Sequence, residues 1–364
     1  MFFSGKRILS PTFSYAAGLL LLCFTPGIIS CSSKDEVVQN DSITTFSRFP
    51  IEQRLVYTDS FSVQQLKPDG LLLYNDSVLF IRNTVNTSAY CFSLFHTVSR
   101  RFIGVQLETG RKYGQSLSFL SYGLNGNNLW VHDVIKDKII ISDIDSALQK
   151  KPGGFHEEPL DAFYYSLQLG TGSRIVATGD YDSPFRIFVL NFSAPGQKDQ
   201  FIPYTTDSLK PVSRIEKTAY ESFLFLKPSG DKCVLACRYA DQVEVIDLSA
   251  KRSSVTRGPE VYQPAMIVRE TNDGKQSSTR GADTRYAFVK GKVTDRYIYL
   301  LYSGNNHETE HLYYGKYIYV YDWYGKPVKR LELDQDVLDI AVSRNDSLIY
   351  IYEPATRHVK TAKL

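Results

Sequence analysis

His307-Glu308-Thr309-Glu310-His311 matches the H-E-x-x-H pattern of zinc peptidases, in which one helical face offers two imidazoles to the metal and the glutamate acts as base. The flanking sequence does not supply that helix. Asn305 and Asn306 precede the pattern, Tyr313-Tyr314-Gly315 follow it, and the runs YIYLLY and YIYVYDW on either side have strand composition. The five residues are therefore expected at the tip of a hairpin loop, on extended backbone that keeps the imidazoles apart, and no metal or cofactor is expected. There is no G-x-S-x-G, no phosphate-cradling glycine loop and no H-x-E with a later cysteine pair at C-x-x-C spacing, so no catalytic residue is assigned.

Cysteine offers a second chemistry. Lys6 and Arg7 precede an apolar core from Tyr15 to Phe24, which Thr25-Pro26-Gly27 breaks, in the three-part layout of a secretory signal. That core is too short to span a bilayer. Ile28-Ile29-Ser30-Cys31 follows and resembles a lipoprotein cleavage box, with Cys31 as the acylated residue. A rival cut before Cys23 would put the bulky Leu22 in the slot the peptidase reads and truncate the core. Each buried methylene contributes roughly 0.8 kcal/mol, so several acyl chains hold a protein on a membrane far more firmly than one. The alternative is an ordinary signal peptide leaving Cys31 free. Ser32-Ser33-Lys34-Asp35-Glu36 resembles the lipoprotein export signal of Bacteroidota, with Lys34, Asp35 and Glu36 directing the chain to the outer face of the outer membrane; the alternative is a solvated tether. The expected organisation is a signal peptide over 1–30, a lipidated cysteine and flexible tether over 31–45, and one domain over 46–364.

Composition narrows the partners. Of 42 basic residues the signal removes Lys6 and Arg7, leaving 40 against 39 acidic ones. A net charge of +1, with signs interspersed, argues against nucleic acid, which needs a basic stripe. Tyr and Phe number 25 and 21, which favours strands. After lipidation three thiols remain, an odd number, so disulfides are not the framework. Cys233 and Cys237 would lie on one strand face roughly 13 Å apart, beyond bridging distance, and read as small buried apolar residues.

Turn residues recur at Asn75-Asp76, Gly126-Asn127, Thr171-Gly172, Gly230-Asp231, Thr294-Asp295 and Asn345-Asp346, at intervals of 51, 45, 59, 64 and 51. An apolar run follows each: Val78 to Arg82, Asn128 to His132, Arg174 to Ala177, Cys233 to Cys237, Arg296 to Leu301 and Leu348 to Tyr352. Most are followed by another strand, such as Lys138 to Asp143, Phe185 to Leu190, Gln242 to Leu248 or Tyr317 to Trp323. Repeats of this length, all strand and no helix, point to an all-β six-bladed β-propeller with four-stranded antiparallel blades. A pair of β-sandwiches is the rival fold, and it does not explain one repeat running the full length. The long fourth interval is put down to a polar insert from Lys251 to Arg285. The last blade has three strands before Leu364, so the segment from Ile43 to Tyr57 is expected to supply its fourth. Asp143, Asp247 and Asp322 fall at equivalent strand ends and read as turn formers before acids.

The run Lys316 to Leu333, with Val337 to Val342 and Leu348 to Tyr352, resembles the closing blades of the TolB-like six-bladed propeller lipoproteins of Bacteroidota. The likeness covers roughly residues 45 to 364, and only the last two blades are specific. Where many relatives carry a Gly-x-Gly-Pro-Gly-Glu turn, this chain has Gly110-Arg111-Lys112-Tyr113-Gly114. The resemblance implies a fold more than an activity.

Successive hairpins of a blade alternate ends, so the link between its second and third strands shares a rim with the link between blades. The two longest connections, Gly258 to Arg285 and Gly304 to Gly315, are of these two kinds and belong to one blade. Arg269, Glu270, Arg280, Asp283 and Arg285 are thus expected beside Asn305, His307, Glu308 and His311, as a candidate binding rim. Asp41-Ser42-Ile43, Asp76-Ser77-Val78, Asp145-Ser146-Ala147, Asp207-Ser208-Leu209 and Asp346-Ser347-Leu348 resemble the O-glycosylation sequon of Bacteroidota. The expectation is a monomeric, lipid-anchored surface propeller of the outer membrane, with its periplasmic face as the alternative address, that binds an envelope protein or a glycan. An extracellular hydrolase or lyase with paired carboxylates at the channel mouth is the alternative function.

Overall fold

A strand buried on both faces has no side to give to polar residues, and Val78-Leu79-Phe80-Ile81 accordingly reads as an unbroken apolar run. The computed structural model, which describes residues 42–84, 87–149, 151, 154–194, 196–205, 212–270 and 276–364, uses that property throughout. The signal peptide, Cys31 and Lys34-Asp35-Glu36 lie outside the described residues, as do Asp41 and Asp207-Ser208-Leu209. No helix among the described residues is long and apolar enough to cross a membrane.

Six antiparallel sheets follow one another along the chain. The first blade comprises Pro68–Tyr74, Val78–Asn83, Tyr90–His96 and Phe102–Glu108; the second Phe119–Asn125, Asn128–Asp133, Lys138–Asp143 and Phe155–Pro159. Ser166–Leu169, Arg174–Thr178, Phe185–Asn191 and Lys198–Pro203 make the third, and Ser222–Leu226, Lys232–Cys237, Gln242–Asp247 and Arg252–Arg257 the fourth. The fifth holds Phe288–Val293, Tyr297–Tyr302, Gly315–Asp322 and Pro327–Val337. The sixth holds Asp339–Val342, Leu348–Glu353, His358–Lys363 and Tyr57–Ser62. Each expected turn links a first strand to a second, and Asn75, Asp76 and Asp346 take the left-handed backbone that short polar side chains tolerate.

The core is distributed between blades. Leu79 and Ile81 pack toward the sixth blade with Tyr350 and Tyr352, whereas Phe80 packs toward the second with Leu129 and Val131. The same two-way alternation sends Ile175 and Ala177 to one neighbour and Val176 to the other, and Tyr299 and Leu301 away from Ile298 and Leu300. Cys233 is fully buried in the seam between the third and fourth blades. Every adjacent pair of blades thus shares a hydrophobic seam, and the sixth closes on the first.

The closing strand is not where the sequence reading put it. Tyr57–Ser62, beginning at the last residue of the expected segment, pairs antiparallel with His358–Lys363. The residues before it do different work: Ser42–Thr45 adds to the fourth blade and Glu52–Arg54 to the fifth, each as a parallel fifth strand. The ring's own chain therefore begins inside the stretch expected to be tether. Between these short strands Phe49 is buried, its ring 4.8 Å from Tyr319, and Phe46 stands edge-on to Phe49 at 5.0 Å. The expected insert is also shorter, because Arg252–Arg257 is the fourth blade's outer strand. Within it Ile267–Glu270 and Gln276–Thr279 form a hairpin.

First strands line the central channel, where unpaired edge groups need partners from the neighbouring blade. Ser121 Oγ accepts from Leu167 N at 3.1 Å, Ser166 Oγ from Leu224 N at 3.0 Å and Asp339 Oδ2 from Leu71 N at 2.8 Å. Gln168 Nε2 donates to Leu224 O at 3.1 Å and Asn125 Nδ2 to Gly170 O at 2.5 Å.

Candidate functional site

The two long connections meet. Arg285 and Asn306 form an isolated antiparallel bridge, His307 N donates to Thr284 O at 2.9 Å, and Tyr286 N donates to Asn305 O at 2.8 Å. Arg285 pairs with Glu260, lies 4.4 Å over the Tyr262 ring and donates from Nε to Gly304 O at 3.4 Å. Asn305 Nδ2 faces His311 O and Tyr314 O, each at 3.4 Å. Arg285, Asn305 and His307 are thereby gathered around Thr284 and Tyr286, and Arg280 joins them through Tyr239. Arg269 and Glu270 stand exposed on the hairpin, and the Asp283, Glu308 and His311 side chains are also exposed.

The H-E-x-x-H loop is wound in successive turns, not extended as expected: Thr309 N donates to Asn306 O and Tyr314 N to His311 O. Its two imidazoles take separate partners. His307 Nδ1 meets the Tyr286 hydroxyl at 2.9 Å, and the His311 ring stacks on Tyr314 at 4.6 Å. Among the described residues no three His, Cys, Asp or Glu side chains gather into a metal site. Asp247 and Asp322 cap turns as expected, accepting from Ser249 and Ala250 N and from Tyr324 and Lys326 N. Asp143 caps the helix Ile144–Leu148.

Inward of the rim sits a largely buried cation, Arg238, directly after the fourth blade's second strand. Its guanidinium donates to Glu221 Oε1 at 2.6 Å and to the Tyr165 hydroxyl. Five rings surround it: Phe223 at 5.2 Å, Tyr239 at 5.3 Å, and Tyr165, Tyr286 and Tyr313 each at 5.8 Å. Arg280 Nε donates to Tyr239 Oη at 2.9 Å and its guanidinium approaches the same Glu221 oxygen to 3.5 Å. The rim is therefore braced through one arginine, and its aromatic and arginine content is of the kind enriched at binding hot spots. At the root of the insert Asp241 accepts from Glu260 N at 2.9 Å, while its other oxygen is buried without a partner. Burial pushes its carboxyl up to about 8.

The central channel holds about 680 Å³ and is lined by first strands of all six blades and by the turns that end them. The turn residues place its mouth on the rim opposite the two long connections. Leucines, hydroxyls and amides make most of the wall, and Lys290 and Lys292 enter it from the fifth blade. Lys292 Nζ pairs with Asp339 at 3.2 Å, and Lys290 Nζ donates across to Asp69 O at 3.1 Å. Gly291 between them is required by packing, since a Cβ there would stand 2.7 Å from the Phe225 ring. The lining acids are Asp76 and Asp295, and Asp76 accepts from Arg344 N at 3.0 Å.

Residues 45–345 match the family described as TolB-like 6-blade propeller-like. The chain belongs to that family. No curated protein sequence matches. Among solved structures it is similar to the β-propeller domain of Cps50 (Swd1) from Myceliophteria thermophila, at 12% identity and a TM-score of 0.46, covering 85% of this chain and 99% of that one. U3-55K aligns at 12% identity and 0.48 over 85% and 100%. Hydrazine synthase of Kuenenia stuttgartiensis aligns at 13% and 0.42 over 85% and 99%. For this TolB-like chain, sequence reading missed Arg238, Glu221, Lys290 and Lys292. Lys290-Gly291-Lys292 did carry a signal: two charges at strand period inside an otherwise apolar run.

Proposed function

We propose that this propeller is an acylated envelope lipoprotein of the Bacteroidota kind, anchored through Cys31, sent to the cell surface by Lys34-Asp35-Glu36, and used to bind an envelope protein or a glycan. The observation that carries the binding role is the bridge between Arg285 and Asn306, which joins the two longest connections into one surface braced by Arg238. Rigid, aromatic- and arginine-rich loop clusters on a closed scaffold are suited to recognition. The channel wall favours binding over hydrolysis, because a glycosidase needs two free carboxylates set across a sugar, and of the two lining acids, Asp76 and Asp295, the first already accepts from Arg344 N.

Capture of envelope proteins by the full chain, run beside a glycan array, tests the role. A partner held by the wild type and lost from an Arg280→Ala, His307→Ala double variant supports it; retention by that variant removes the rim from the account. Anchor and address are tested separately. Cys31→Ala is expected to leave the membrane fraction, and protease applied to intact cells is expected to degrade the propeller; protection until the outer membrane is opened would return it to the periplasm.

A further inference from the structure

The channel mouth faces away from the rim just discussed, so what it takes is a separate matter. The charged residues of the channel lining are Lys227, Lys290, Lys292 and Arg344 against Asp76 and Asp295, and behind Lys290 and Lys292 stand Arg82, Asp69 and Asp339. Arg82 lies 3.1 Å from Asp69 without hydrogen-bond geometry, and it rests 4.2 Å over the Phe119 ring. Lys292 is neutralised by Asp339, whose two oxygens also accept from Leu71 N and Ile340 N. Lys290 is left with a backbone carbonyl as its partner among the described residues. Asp339 and Asp69 act on its charge through space, but an ammonium has three N–H donors, and one bonded to a single carbonyl in a confined cavity favours a counter-ion that reaches Nζ directly. From the second blade, across the channel, Leu120 is 44% exposed in the same cavity, with Leu72, Leu73 and Leu124 in the wall.

We propose that the central channel is a binding site for a monoanionic carboxylate with an apolar body, its carboxylate paired to Lys290 Nζ and its hydrocarbon set against the channel leucines. The cavity is within the 300–1,000 Å³ range of small-molecule sites. Desolvation already acts against the Lys290 charge, and a bound carboxylate relieves it.

Titration calorimetry of the full chain with octanoate, octanol and glucuronate tests this. Octanoate is expected to bind at least tenfold more tightly than either of the others, since octanol lacks the charge and glucuronate the apolar body. Lys290→Met is expected to weaken octanoate tenfold or more, and Lys290→Arg to retain most of the affinity. Should Lys290→Met fail to fold, Leu120→Glu, at an exposed wall position, sets a negative charge against the ligand and is expected to weaken it as much. Rim variant Arg280→Ala is expected to leave the titration unchanged, which keeps this site's outcome apart from that of the rim. No octanoate binding, equal or tighter binding of octanol or glucuronate, or unchanged affinity in both Lys290→Met and Leu120→Glu overturns the proposal.

Discussion

Phe49 packs its ring 4.8 Å from Tyr319 at the seam between the fourth and fifth blades, although 270 residues of chain separate them. Its neighbours on either side pair with two different blades, so this one side chain pins a strap that ties both. Phe49→Ala is expected to cost about 3–5 kcal/mol, the usual range for emptying a buried phenylalanine site. Urea denaturation measures it, with Val56→Ala, 73% exposed, as a comparison expected to stay within about 0.5 kcal/mol.

Asp241 gives stability a slope that falls with pH. Burial holds its carboxyl protonated up to about 8 in the folded chain, whereas the unfolded chain releases that proton near 4. The folded state binds the extra proton between those values, so this contribution is complete below about pH 4 and disappears as pH rises to 8. Asp241→Asn keeps an acceptor for Glu260 N and cannot ionise. Its unfolding free energy is expected to gain on the wild type across that window by up to about 1.4 kcal/mol per pH unit; parallel curves would refute the assignment.

His132 works in the opposite sense. The side chain is fully buried with neither ring nitrogen bonded among the described residues, and burial lowers its pKa to about 4. The unfolded chain takes up the proton near 6.5, so this group's stability is complete above that value and is lost as pH falls toward 4. Between 4 and 6.5 the two slopes oppose. His132→Leu is expected to leave the falling Asp241 slope visible over this interval, and Asp241→Asn the rising His132 one, in denaturation midpoints taken every half unit.

Asp339 holds three partners at once: Lys292, Leu71 N and Ile340 N. Removing it strands a cation and two edge amides, and Asp339→Ala is expected to cost about 3–5 kcal/mol. Lys292→Met is expected to cost less, because its side chain reaches the open channel. In the double variant a coupling of about 1 kcal/mol or more measures the pair; additivity within about 0.3 kcal/mol would mean the two charges do not interact.

Second strands were legible because burial on both faces leaves an unmistakable apolar run, and the turns before them are written in residues that tolerate left-handed backbone. The strap was not. Ser42–Thr45 and Glu52–Arg54 are short and polar, and their parallel pairing depends on edges supplied more than 200 residues away. The meeting of the two long connections followed from hairpin parity alone, which needs only strand count. Arg238 was invisible for another reason: a single charge after a strand ordinarily points to solvent, and only the tertiary placement of Tyr165, Phe223, Tyr286 and Tyr313 turns it inward.

The strap makes two of the six blades unlike the other four. On the fourth and fifth blades the outward edge belongs to the added strands Ser42–Thr45 and Glu52–Arg54, and edges so short offer little ladder to a foreign strand. On the other four Tyr57–Ser62 ends the sixth blade and Phe102–Glu108 is flanked by the helix Ile144–Leu148, while Phe155–Pro159 and Lys198–Pro203 stand as the remaining terminal strands. Those two carry His156-Glu157-Glu158-Pro159 and Lys198-Asp199-Gln200, the charges and proline that discourage edge-to-edge aggregation. Protection of this ring against self-association thus rests on short edges where the strap has been added and on charged ones at the second and third blades, and only the second weakens in concentrated salt.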